Sequence, residues 1–450
     1  MPLCLKTINY KNMKTICLYF QIHQPVRLKR YRFFDIGSDH YYYDDFSNED
    51  ILRGIADRSF LRANSMLLDL IKAHNDKFKV TFSVSGAALE QLEIYVPEAI
   101  DGLKELAKTG CVEFLSETYG HSLSCLYSEE EFRKQVEDHA EKIELLFGKK
   151  PKVFRNTELI YSDEIGDMVY RMGYKGMLTE GAKHLLGWKS SNYLYNSVSS
   201  PGLKLLLRNM KFSEDIMFRF SNYSWSDYPL VADKFINWIS ALPESEQLIN
   251  LFMSYETLGS IQPVDTGIFE FFKALPKFAL DKQIGFSTSS EVINKLKPVA
   301  KISAPYPCSW SGEERDVSAW SGNTLQREAL QKLYSIGERV MLCEDRRIKQ
   351  DWIYLQVSDH FRFMSTKYFP GPSVYSPYEN AYDAFSNYMN VLSDFITRVN
   401  AQYPTSIENE ELNALLTTIR NQESEIAKLE DKLEKIKKET KSIQKKKESI

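Results

Sequence analysis

Apolar positions in this chain fall into two alternating patterns. Short unbroken runs of aliphatic, β-branched and aromatic residues alternate with longer stretches in which apolar residues return every three or four positions with charges between them. Unbroken runs predict strands covered on both faces, and the wider spacing predicts amphipathic helices. The runs lie at 15–23, 79–85, 111–117, 153–157, 176–179, 203–207, 248–254 and 284–287, with helical patterns such as 57–74 and 129–147 between them. Strands joined by helical crossovers pair in parallel, and seven or eight such units close most readily into a barrel whose site sits at the carboxyl ends of the strands. The fold class expected is therefore α/β, a seven-stranded (β/α) barrel of TIM type over residues 13–295.

The pattern changes after residue 290. A turn-rich polar stretch at 312–323 precedes helical patterns at 324–342 and 378–400, so residues 296–403 are expected to form a helical region completing the cleft. After Pro404 the chain has no Gly, Pro or aromatic residue, and a seam runs Leu412, Leu415, Ile419, Gln422, Ile426, Leu429, Leu433, Ile436, Thr440, Ile443, Lys447, Ile450. Alternating three and four spacing predicts a C-terminal coiled-coil helix over 404–450, and a homo-oligomer formed through it. The acidic start (Glu408, Glu410, Glu411) and basic end (Lys445, Lys446, Lys447) follow the helix dipole.

Composition narrows the function. A net charge of −4, from 57 basic and 61 acidic residues, leaves no broad field for a phosphate backbone, so no nucleic-acid partner is expected. The six cysteines, Cys4, Cys17, Cys111, Cys125, Cys308 and Cys343, are scattered without a C-x-x-C pair, as expected for free thiols in the cytoplasm. The apolar stretch at 16–22 is interrupted by Gln21 and followed by His23, too short and polar for a signal or a membrane span. Met13 is a second plausible start of translation beside Met1.

Polar residues end several predicted strands: His23-Gln24-Pro25, Glu113 and Glu117 with His121 beyond, Arg155-Asn156-Thr157-Glu158, and Ser254-Tyr255-Glu256. Ionisable groups are costly to desolvate, so their convergence at one end of a barrel suggests a polar ligand. The seven histidines show no H-x-x-x-H pair, and the chain lacks G-x-G-x-x-G, G-x-x-x-x-G-K-[ST] and G-x-S-x-G. Metal, nucleotide-loop and nucleophile-elbow chemistry lose support. Carboxylate chemistry remains, and glycoside hydrolysis needs two carboxyl groups flanking the scissile bond.

His23-Gln24-Pro25, the stretch 111–121, Phe154-Arg-Asn-Thr-Glu-Leu159, Phe252-Met-Ser-Tyr-Glu-Thr-Leu-Gly259 and Leu355-Gln-Val-Ser-Asp-His-Phe361 resemble, in order, the five sequence regions of glycoside hydrolase family 57, with the α-amylase-type members most similar. The resemblance implies a seven-stranded barrel followed by a helical region, acting with retention on α-1,4-glucan or maltooligosaccharide, with no metal or organic cofactor. It places Glu158 at the catalytic nucleophile and His23, Glu113, Glu256 and Asp359 among substrate-binding residues, joined by Glu117 and His121 of the second region and by Trp320 and His360. One position departs: Ser254 stands where the family has its acid/base Asp. A serine hydroxyl is no acid near neutral pH, so hydrolysis is expected to be impaired or absent, leaving a glucan-recognising pseudoenzyme.

The alternative is an active α-amylase or 4-α-glucanotransferase with a substitute proton donor. A barrel polysaccharide deacetylase is disfavoured, because it would need an Asp pair on the first strand and a His pair for metal. Asp44-Asp45 is the nearest imitation, after a Tyr41-Tyr42-Tyr43 run that reads equally as a packed loop or a sugar-stacking lid. Trp310 and Trp320 are the tryptophans best placed for the cleft.

Overall fold

The computed structural model describes residues 13–371 and 376–402, together with single helical positions between 415 and 433. Twelve strands run in chain order: β1 (Thr15–Ile22), β2 (Val80–Val84), β3 (Val112–Phe114), β4 (Val153–Arg155), β5 (Gly176–Glu180), β6 (Leu194–Ser197), β7 (Lys204–Arg208), β8 (Leu248–Ser254), β9 (Leu258–Gly259), β10 (Gln262–Pro263), β11 (Gly285–Phe286) and β12 (Ala300–Ile302). Each of the eight predicted runs overlaps one of them.

The strands form two five-stranded sheets and a two-stranded ladder, with no closed sheet among the described residues. β1 pairs in parallel with β8 on one side and with β2 and β11 on the other, and β2 continues to β3; the second sheet runs β12-β6-β7-β5-β4. The expected single all-parallel barrel is corrected in two respects. First, β6 is antiparallel to β7. Its connection, in which Ser197 N–H donates to Leu203 at 3.0 Å, is too short for the crossover that a parallel pair requires. Second, the sheets meet at seams without a continuous ladder. Ser116 bridges Phe154 between β3 and β4, while at β7 and β8 Asn209 N–H donates to the Asn250 carbonyl at 2.9 Å and Asn250 Nδ2 to the Leu207 carbonyl at 2.8 Å.

Alternation along β1 shows where the core sits. Ile16, Leu18, Phe20 and Ile22 face one apolar cluster under the flanking helices, while Cys17 and Tyr19 join a smaller one with Leu115, Val153, Leu178, Leu206 and Phe252, drawn from both sheets. Val292 and Ile293 of the helix Ser289–Lys295 enter that second cluster from the amino end of the strands. The helices Thr324–Tyr334, Gly337–Leu342, Arg346–Leu355, Ser358–Phe363 and Ala381–Gln402 follow, packing into a third cluster with residues of β4, β5 and β7.

Tyr42 and Tyr43 are buried, donating to Asp394 and Asp351 at 2.6 Å each, and none of the three tyrosines lines the cleft described below, so the packed loop is the conformation observed. The predicted coiled coil lies mostly outside the described residues. Of its seam, Leu415, Ile419, Gln422, Ile426, Leu429 and Leu433 are described, and all are helical and exposed.

Gly86, opening the helix Gly86–Tyr95, couples this framework to the site. A Cβ there would stand 2.4 Å from the Tyr119 ring, and the Ala87 N–H holds the Tyr119 carbonyl at 3.1 Å. Gly86→Ala is expected to destabilise the fold by about 1–3 kcal/mol through overpacking, read as a lowered urea midpoint at unchanged slope.

Candidate functional site

At the carboxyl ends of the strands lies a cleft of about 340 Å³. β1 and the residues after it contribute Gln21, His23 and Gln24; β4 and its extension contribute Arg155 and Glu158; β7 ends in Arg208, and β8 in Ser254 with Glu256 just beyond. The far wall is Trp310, Ser311, Trp320, Asp359 and Arg362, from the chain after the last strand.

Glu158 is aimed by its backbone. It and Leu159 adopt left-handed conformations (φ 53° and 54°), sparsely populated by residues other than glycine. The turn is held by Asn156 Nδ2 donating to the Ile160 carbonyl at 2.9 Å and by Trp310 N–H donating to the Glu158 carbonyl at 3.3 Å. The Glu158 carboxylate lies 3.1 Å from His121 Nε2 through Oε1 and accepts the Trp310 indole N–H through Oε2. Behind it, His121 Nδ1 lies 2.9 Å from Glu117 Oε2, and Arg155 Nη1 lies 3.6 Å from the same oxygen. Arg155 also donates to Gln21 Oε1 at 2.5 Å.

These contacts decide the charges. Burial works against the imidazolium of His121, but its bonds with Glu117 and Glu158 outweigh that cost and raise its pKa to about 9. Burial likewise favours the neutral acid at Glu117, yet His121 and Arg155 bring it down to about 2. Glu158 is held below the usual carboxylate range by the same His121, again against desolvation. His23 is lowered, by burial and then by His121, whose ring it stacks on at 3.9 Å. Its Nδ1 lies 2.7 Å from Ser85 Oγ, which already accepts the Ala88 N–H, and its Nε2 lies 2.9 Å from Asp359 Oδ2. The Asp359 carboxylate takes the Nε2–H of His23, while the Ser85 hydroxyl can either donate to Nδ1 or accept from it. Asp359 is lowered despite its burial, chiefly by His23.

On the opposite side Ser254 caps the turn after β8, its Oγ accepting the Glu256 N–H at 3.3 Å, and Glu256 accepts from Gln24 Nε2 at 2.5 Å. Arg208, almost fully buried, donates to the Phe252 carbonyl and to Glu180, both at 3.0 Å.

The structure thus brings His23, Glu158, Ser254, Glu256, Trp320 and Asp359 to one cleft, with Glu117 and His121 directly behind Glu158. Glu113 and His360 are elsewhere. Glu113 shares a strand face with Glu117 but precedes it by four residues, about 13 Å toward the amino end. There it accepts from Ser290 N–H at 2.8 Å and from the Ser290 hydroxyl. His360 follows Asp359 on a helix, where consecutive residues do not share a face, and its Nε2 meets the Tyr354 carbonyl at 3.1 Å. Burial lowers it to about 4, and it does not line the cleft. Arg208 and Arg362 were missed. Arg208 ends β7 one residue beyond the predicted run, so a polar strand end went uncounted; Arg362 lies three residues past Asp359 with no strand to mark it.

Among the described residues, no group of three or more His, Cys, Asp or Glu side chains is arranged to hold a metal, and no helix is long and apolar enough to cross a membrane. The buried charges predict a pH profile of stability. Glu117, lowered, stabilises above its ordinary value near 4.5 and loses that contribution as pH falls through about 2; His121, raised, stabilises below 6.5 and loses its contribution as pH rises through about 9. The thermal midpoint is expected to decline on both sides of that window, and Glu117→Gln to move the alkaline decline to lower pH.

Comparison with known proteins agrees with the geometry. The family profile "Glycosyl hydrolase family 57" matches residues 17–305. A Methanocaldococcus jannaschii protein named "Putative alpha-amylase" is 38% identical over 400 residues, covering 84% of each chain. Among solved structures, a GH57 branching enzyme from Thermococcus kodakaraensis superposes with a TM-score of 0.61 at 13% identity, over 86% of this chain and 90% of its own. An α-amylase from Thermotoga maritima gives 0.56 at 13% identity, over 86% and 94%. The chain belongs to glycosyl hydrolase family 57.

Proposed function

We propose that the cleft recognises α-1,4-glucan or maltooligosaccharide, with Glu158 in the place of an attacking carboxylate and Ser254 in the place of the proton donor, so that hydrolysis of natural glycosides is impaired or absent. The carrying observation is the set of partners around the cleft carboxylates. Glu158 and Asp359 are both held ionised, by His121 and His23, and neither has a proton to give near neutral pH. Glu256 accepts from Gln24, and Ser254 offers only a hydroxyl engaged with the following turn. Loss of general acid catalysis costs about 10²–10⁴ in rate, most for a sugar leaving group that must be protonated. Trp310 and Trp320 supply flat apolar walls, while Arg155, Arg208 and Arg362 supply donors for sugar hydroxyls.

The family, and relatives named for α-amylase and branching activity, support a glycan substrate. They also sustain a second reading, an active α-amylase or 4-α-glucanotransferase. Its candidate donor is Glu256, which shares the cleft with Ser254. Turnover on maltooligosaccharides and on α-glucosyl fluoride, whose fluoride leaves without protonation, separates the two. Wild type is expected to be inert on the former and to acquire a covalent glucosyl adduct at Glu158 from the latter. Ser254→Asp is expected to gain at least about 10²-fold on maltooligosaccharides. Wild-type hydrolysis that depends on Glu158 and is not improved by Ser254→Asp overturns the impaired-enzyme reading.

The tail is proposed to join copies of the chain, giving avidity to weak glycan sites. Supporting this, Leu415, Ile419, Ile426, Leu429 and Leu433 are helical, at coiled-coil spacing, and 45–59% exposed in the single chain. Ile426→Asp with Leu429→Asp is expected to reduce the mass measured by light scattering to that of one chain; unchanged mass, or a wild type already monomeric, counts against it. A cytoplasmic location fits the described cysteines, Cys17, Cys111, Cys125, Cys308 and Cys343, which are free and buried.

A further inference from the structure

We propose that His121 is a positioning residue, an imidazolium that donates through both nitrogens to hold Glu158 ionised and aimed, and that Glu117 serves to keep it charged. The inference rests on Glu158 being the attacking group, and it concerns two buried residues that do not line the cleft.

Geometry argues first for the charged ring. Both ring nitrogens face carboxylate oxygens, Glu117 Oε2 at 2.9 Å and Glu158 Oε1 at 3.1 Å, and a carboxylate of this kind only accepts. A neutral imidazole has one N–H, so it would turn a lone pair toward one of the two carboxylates. The neutral form has one competing partner, Gln21 Nε2 at 3.4 Å from His121 Nε2; accepting there would leave Glu158 Oε1 facing a lone pair. Gln21 is itself oriented by Arg155, so its amide cannot flip to relieve the contact.

The surrounding charges agree. Two carboxylates, Glu117 and Glu158, are met by two cations, His121 and Arg155. The stacked His23 ring has its nitrogens at Ser85 and Asp359, and burial together with His121 favours its neutral form, which spares His121 a second positive charge at 3.9 Å. Arg362 and Arg208 are the other cationic side chains lining the cleft. His121 and Glu117 are fully buried, so water does not share in this exchange.

The ring is placed by its backbone and not by the ion pairs alone. His121 has φ 51°, its N–H donates to the Thr118 carbonyl at 3.1 Å, and its carbonyl accepts the Ser358 N–H at 3.1 Å. Seats of this kind persist when the side chain changes, which makes substitution informative.

Two measurements test the proposal. In ¹⁵N-histidine spectra of the full chain at pH 7.5, His121 is expected to carry protons on both nitrogens, and in Glu117→Gln to have lost one. A neutral wild-type His121 overturns the proposal whatever the activity. Labelling by α-glucosyl fluoride, followed by intact mass against pH, reads the same group through Glu158. Wild-type labelling is expected to decline at alkaline pH as His121 loses its proton, Glu117→Gln to bring that decline down by at least one pH unit, and His121→Asn to slow labelling about 10²-fold, the scale set by misplacing a reacting group. Variants that label with the wild-type pH profile overturn the positioning role. Absence of any wild-type labelling overturns instead the role of Glu158, and the spectra then still decide the state of His121.

Discussion

A carboxylate removed from water stays ionised only if nearby positive charge or hydrogen-bond donors compensate it, and the region around Glu158 is organised by that requirement. Protonation would be the cheapest way to relieve desolvation. It is prevented by His121, which is itself prevented from losing its proton by Glu117, which has Arg155 beside it. Removing any one member leaves an uncompensated charge in a dry layer, so the group behaves as a unit. The strained turn at Glu158 and the left-handed backbone at His121 are consistent with it: both are unfavourable locally and are held by the packing around them.

The same requirement limits what else the cleft can hold. An environment that keeps Glu158 and Asp359 charged is hostile to a group that must hold a proton at neutral pH. Paired carboxylates with divided roles need environments that push their pKa values apart. Here His121, Arg155 and Arg362 flank Glu158 and Asp359, while the β8 side carries the Ser254 hydroxyl and Glu256 with Arg208 beside them.

Much of this was legible in the chain, in ways that follow from what a local pattern encodes. Buried strands announce themselves as apolar runs, and each of the eight runs lies on a strand. Direction is not encoded, which is why β6, short and carrying Asn196 and Ser197, escaped notice and turned out antiparallel. Two-residue alternation identified which side of a strand a carboxylate occupies but not its depth, and Glu113 was assigned to the cleft although it caps a helix at the opposite end. Residues at strand ends, Glu158 and Glu256 among them, were found because a polar group after an apolar run is conspicuous. Arg362 and the indole bond of Trp310 come from chain that only tertiary packing brings over the cleft.

The far wall of the cleft carries a consequence for how the molecule acquires it. β12 pairs in parallel with β6, and from there the chain passes Cys308, bridged to Tyr161, before reaching Trp310. Trp310 bonds to Glu158 across 152 residues, and Asp359 to His23 across 336. Contacts of such separation form late, because the loop entropy between partners must be overcome before they contribute. During synthesis the strand ends therefore emerge long before their covering wall, and a nascent chain that stops short of Asp359 carries Glu158 with its His121 partner but leaves His23 without its carboxylate. The cleft is closed only when residues 310–362 reach the strand ends that floor it.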